Sequence, residues 1–83
     1  METRIAIIGI IVYNKESVSK INNLLHDYGE YIIGRMGLPY KEKNVNVISV
    51  IMDAPNDVIG ALTGKLGMVK DITVKTVYSK AGV

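Results

Sequence analysis

Two stretches of this chain, Arg4 to Tyr13 (RIAIIGIIVY) and Asn44 to Met52 (NVNVISVIM), are apolar at odd and even positions alike. Successive side chains of a strand point to opposite faces of its sheet. In the first stretch Ile5, Ile7 and Ile11 therefore share one face, and Ala6, Ile8, Ile10 and Val12 the other. In the second, Val45, Val47 and Ile51 oppose Ile48, Val50 and Met52. Both stretches are rich in β-branched residues and too short for a typical isolated helix, so they read as strands. Strands that are apolar on both faces belong in the middle of a sheet with both sides covered.

The remaining segments supply the other elements. In KESVSKINNLLHDYG the apolar positions Val18, Ile21, Leu25 and Tyr28 fall at helical spacing, with Asn14 as N-cap and Gly29 as the stop. Glu30 to Leu38 reads as a weaker strand, interrupted by Gly34 and Gly37 and ended by Pro39, with a polar turn after it. Pro55, with Asn56 or Asp57 as cap or first-turn acid, opens a second helix on which Ile59, Leu62 and Leu66 recur and which Gly67 ends. Met68 to Tyr78 alternates as a last strand.

Strand, helix, strand, strand, helix, strand is the ferredoxin-like βαββαβ order. The expectation is one α+β domain over residues 1–83, with a four-stranded antiparallel sheet and two helices on one face. The two continuously apolar strands would lie centrally, and the strands carrying Arg35, Lys70, Asp71 and Lys75 at the edges, where charge discourages uncontrolled pairing. Helices on one side leave the other side of the sheet open, and the residues there are apolar too. A chain of 83 residues has a small core, and the few residues after the last strand (SKAGV) offer little to lie over an open face. A homo-oligomer, dimer or tetramer, built through that face is expected. Periodicity treats the two faces alike; Ile8, Ile10, Val12, Ile48, Val50 and Met52 are taken as the interface set.

Chemistry is harder to find. The segment GALTGKLG, Gly60 to Gly67, looks like a phosphate loop, but Gly60 and Gly64 are one residue too close for a Walker motif and Leu66 stands where its hydroxyl should be. The structural reading is that Gly60 and Gly64, four apart on one helix face, let the backbone approach the sheet or another helix. The chain has no cysteine and one histidine, His26, which a helix carboxyl end accounts for; as a metal ligand it is a weak candidate that would need carboxylate partners or a second copy. Arg35, between Gly34 and Met36-Gly37, suits a carboxylate or phosphate, or else pairs as an edge-strand charge with Glu30 or Asp71. Tyr31 and Tyr40 flank the same region as a ligand wall or subunit contact. A formal net charge of +2 and the lack of a basic helix argue against direct nucleic-acid binding. The longest apolar run, Ile5 to Val12, falls far short of the ~20 residues of a membrane helix, and with no signal peptide read, a cytoplasmic protein is expected.

Taken whole, and most tellingly in NNLLHDYGEYIIGRMGLPY and NDVIGALTGKLGMVKDITVKTV, the chain resembles the small proteins known as iron-only hydrogenase system regulators. The resemblance implies an ACT-like, or nickel-regulator C-terminal-like, ferredoxin-like domain that forms oligomers and regulates by sensing a small molecule or metal. ACT effectors often bind where the first strand turns into the first helix, here Tyr13, Asn14, Lys15 and Glu16, although the glycine common in that turn is missing. Nickel regulators use several histidines and a cysteine, which this chain lacks. The expected ligand-binding residues are accordingly Asn14, Lys15 and Arg35, with no cofactor identified. The competing reading is a small ferredoxin-like enzyme in which His26 acts as acid or base and Arg35 fixes an anionic substrate.

Overall fold

A computed structural model describes residues 2–83. The elements run β1 (Arg4–Val12), α1 (Lys15–Asp27), a 3-10 turn (Gly29–Tyr31), β2 (Ile32–Tyr40), a second 3-10 turn (Lys41–Lys43), β3 (Val45–Ala54), α2 (Asn56–Gly67) and β4 (Ile72–Tyr78). All pairings are antiparallel and the sheet order is β2-β3-β1-β4, so the two doubly apolar strands are central. This is the α+β ferredoxin-like fold, with α1 and α2 packed on one face of the sheet.

Helix placement decides which strand face becomes the core. Ile21 and Leu25 of α1 and Ile59, Leu62 and Leu66 of α2 are fully buried against Ala6, Ile8, Ile10 and Val12 of β1 and Ile48, Val50, Met52 and Ala54 of β3. Each large aliphatic side chain there contributes roughly 1.5–3 kcal/mol of transfer free energy. The expected interface set is thereby corrected: Ile8, Ile10, Val12, Ile48, Val50 and Met52 form the floor of the helix-covered core and reach no partner. The open face is the other parity, with Ile7, Ile11, Val47 and Ile51 exposed.

The corner between β1 and α1 is clamped to the turn before β4. Asn14 caps α1, its Oδ1 accepting from the Glu16 amide at 3.0 Å, while its Nδ2 donates to Asp71 Oδ2 at 3.3 Å. The Tyr13 amide donates to the Asp71 carbonyl at 2.9 Å, and the buried Ser17 hydroxyl to the Lys70 carbonyl at 2.8 Å. Asp71 itself adopts a left-handed conformation, φ 58°.

Other boundaries differ for local reasons. β2 continues through Pro39 to Tyr40, because an edge strand tolerates a residue with no amide hydrogen. At α2 the N-cap is Pro55, with no side-chain cap; Asn56 instead accepts from Arg4 Nη1 at 3.3 Å. Gly60 and Gly64 bring no backbone close to anything, since both are exposed and a Cβ at either would meet no atom within 4 Å. The close-approach reading of these glycines is overturned. After β4 the chain turns back beside the start of β1, the Ile5 amide donating to the Val83 carbonyl at 2.9 Å, and leaves Ile7 exposed.

Candidate functional site

Two surfaces stand out. On the open face the strand register lines side chains into three rows across the sheet. Leu38, Val47, Ile11 and Thr73 form one outer row, and Gly34, Ile51, Ile7 and Val77 the other. Between them lie Met36, Ser49, Gly9 and Lys75. Ile7 is 44% exposed, Ile51 39% and Leu38 51%, so two apolar ridges flank a shallower strip in which serine and glycine occupy the central strands. Tyr13 stands at one end, its hydroxyl 2.9 Å from Thr73 Oγ1.

The second surface is on the helix side. α1 and α2 share the cover over the central strands, and β2, at the sheet edge, extends beyond α1, leaving most of its residues exposed on both faces. A groove of about 420 Å³ runs between the first turn of α1 and the β2–β3 connection, bordered by Lys15, Val18, Pro39, Tyr40, Lys41, Asn44, Val45 and Asn46. A narrower hollow of about 240 Å³ shares Val18, Pro39 and Asn46 with it and is bordered further along by Asn22, Arg35 and Ile48. No carboxylate borders either part. Tyr40 is steadied by its hydroxyl, which donates to Glu42 Oε2 at 3.0 Å. Asn44 takes the left-handed conformation, φ 55°, that lets β2 turn into β3.

Arg35 pairs across with Val50, so it lies on the helix side, where its Nη2 donates to Asn22 Oδ1 at 2.8 Å. Asp71 precedes the opposite edge strand, which removes it as a partner for Arg35. Of the expected ligand residues, Lys15 borders the larger hollow and Arg35 the smaller one that adjoins it, whereas Asn14 faces Asp71 with both ends of its amide engaged. Tyr40 borders the groove and Tyr31 packs beside the core. His26 is exposed in the last turn of α1. Among the described residues no three His, Cys, Asp or Glu side chains cluster as a metal site, and no helix is long and apolar enough to cross a membrane. Lys41, Asn44, Asn46 and Asn22 were not singled out by sequence. The polar turn that supplies Lys41 reads as solvated loop until α1 is seen opposite it.

Lys65 in α2 is held above the ordinary lysine value by the Tyr28 side chain, through hydrogen bonding first and then charge, with Asp27 adding a smaller attraction. Its ammonium lies over the Tyr28 ring, 5.2 Å from the centroid.

Comparison with known proteins gives a family as well as a fold. Residues 4–76 match the family model TM1266-like, described as "Iron-only hydrogenase system regulator, putative". The structure of uncharacterized protein TM1266 from Thermotoga maritima superposes with a TM-score of 0.90 at 40% identity, covering 95% of this chain and all of that one (100%). A formyltetrahydrofolate deformylase from Pseudomonas putida KT2440 shares the fold alone, with a TM-score of 0.63 at 10% identity over 88% of this chain and 28% of that one. Divalent ion tolerance protein CutA1 from Ehrlichia chaffeensis likewise shares only the fold, at 0.52 and 15% identity over 96% of this chain and 84% of that one. No curated protein matches the chain.

Proposed function

This chain belongs to the TM1266-like family of iron-only hydrogenase system regulators, and from that premise we propose that it is a non-enzymatic regulatory module that assembles with copies of itself through the open face of its sheet and responds to a small molecule. The observation that carries this reading is the exposed apolar face built by Ile7, Ile11, Val47, Ile51, Leu38 and Val77. A contiguous apolar surface of this kind on a small domain marks an interaction site. A second copy suits it: two apolar ridges with a strip between them can interdigitate with the same relief turned about a two-fold axis, as stacked sheets do. Covering it also supplies the buried area that a chain this small lacks by itself.

Sedimentation velocity at micromolar concentration tests the reading. The wild-type chain is expected to run as a dimer or tetramer. Ile51→Lys, which puts a charge in one ridge, is expected to weaken association by about 100-fold or more, as befits an unpaired charge in a buried interface, while leaving far-ultraviolet dichroism unchanged. A wild-type chain that sediments only as monomer would overturn the assembly.

A further inference from the structure

We propose that the groove between α1 and the β2–β3 connection binds an elongated dianion, a molecule with an anionic group at each end and an apolar body between. This rests on the reading of the chain as a regulator that responds to a small molecule, and it names the chemistry of that molecule.

The charges are arranged in two poles. At one end of the groove Lys15 and Lys41 approach from α1 and from the turn after β2; at the other stands Arg35. Arg35 meets Asn22, two turns of α1 beyond Lys15, which at 1.5 Å per residue places the two helix positions that anchor the poles about 10 Å apart along the axis. Between them the wall is mostly apolar, made by Val18, Pro39 and Ile48, with Asn46 as its polar member. A single compact anion would satisfy one pole and leave the other idle, whereas a molecule charged at both ends and apolar in the middle satisfies the whole groove. The hollow at the lysine pole, about 420 Å³, lies within the ~300–1,000 Å³ usual for small-ligand sites, and the adjoining one at Arg35 adds about 240 Å³.

The two poles are built differently. Asn22 occupies one hydrogen of the Arg35 guanidinium and so orients it, leaving the other N–H donors for a carboxylate or phosphate, which arginine grips in a bidentate fork. Lys15 sits in the first turn of α1, where the helix dipole disfavours a cation and favours an anion. An anion bound there would relieve that local conflict. No carboxylate lines either hollow, and Glu42, next to Lys41, accepts from the Tyr40 hydroxyl. Arg35 and Lys15 are thus assigned as binding residues, and Asn22 as a positioning residue for Arg35.

The test is titration of the 15N-labelled full chain with α,ω-dicarboxylates from succinate to sebacate, with monocarboxylates of equal length, with inorganic phosphate and with a short single-stranded oligonucleotide. Affinity is expected to peak at the dicarboxylate that spans about 10 Å and to exceed that of the matched monocarboxylate by roughly tenfold or more, the worth of one added charge-assisted contact. Amide shifts should centre on Lys15, Asn22, Arg35 and Lys41. Lys15→Met and Arg35→Met should each reduce the dicarboxylate to the affinity of the monocarboxylate, Asn22→Ala should do so in part, and Lys80→Met, outside the groove, should change nothing. Affinity independent of chain length, equal binding of phosphate, tighter binding of the oligonucleotide, or shifts centred elsewhere would each overturn the assignment. Sedimentation of the same samples separates this from the assembly: an oligomer that ignores the dicarboxylates sinks the groove assignment alone, and a monomer that binds them sinks the assembly alone.

Discussion

Asn14 shows how one side chain can look like a ligand contact and serve the fold. Its oxygen caps α1 and its nitrogen bridges to Asp71, so both ends of the amide are used within the chain. Asn14→Ala should lower stability by about 1 kcal/mol, the usual worth of an N-cap, as read by urea denaturation, and should leave dicarboxylate affinity unchanged. Ile8 and Ile7 make a sharper pair, adjacent in sequence and opposite in environment. Ile8→Ala should cost about 2–5 kcal/mol, since it opens a cavity beneath the helices. Which parity faced the helices was legible in principle. Gly9, Ser49 and Asp53 all fall on the open face and each is a poor core residue, while the even positions from Ala6 to Val12 and from Ile48 to Ala54 carry no charge. Hydrophobicity alone treated the two sets as equal, and the small or polar exceptions carried the information.

At the scale of elements, spacing located every helix and strand, because 3.6- and 2-residue periods are imposed by the same backbone geometry that forms them. The ends were less legible, since they depend on contacts from afar: β2 passes through Pro39 only because it is an edge. The glycines of α2 are the clearest miss. Spacing four apart suggested close packing, but only the position of the neighbours could tell whether anything lay opposite. Gly60→Ala and Gly64→Ala should each raise stability by roughly 0.5–1 kcal/mol, the helix-propensity difference, measured by thermal or urea denaturation. Clashing variants that lose stability instead would mean that a second chain lies against α2. The two helices are also tied by Lys65 over Tyr28. Because that contact raises the folded-state pKa of Lys65, its stabilisation is fully present below the ordinary lysine range and is lost as pH rises through the raised value. Lys65→Met should therefore flatten the alkaline end of the pH–stability curve and leave its neutral arm parallel to the wild type.

For the whole molecule, the surplus of apolar strand faces announced an open surface before any coordinates, because two helices can cover only one side of a sheet. The groove was less legible. Arg35 could be named from its local surroundings and Lys15 from the family resemblance, but Lys41 and Asn46 come opposite them only when α1 falls across the central strands and stops short of β2. No local pattern encodes a gap between elements distant in sequence. Along β1 and β3, burial alternates from one residue to the next between a core closed by the chain's own helices and an exposed face, the one proposed to meet another copy. Neighbouring codons consequently answer to different reaction orders. Damage at Ile8 should shift the melting midpoint equally at every dilution, as a unimolecular event does. Damage at Ile7 should grow milder as the protein is diluted toward monomer and more severe as it is concentrated, so that the severity of a substitution at this site depends on how much of the protein a cell makes.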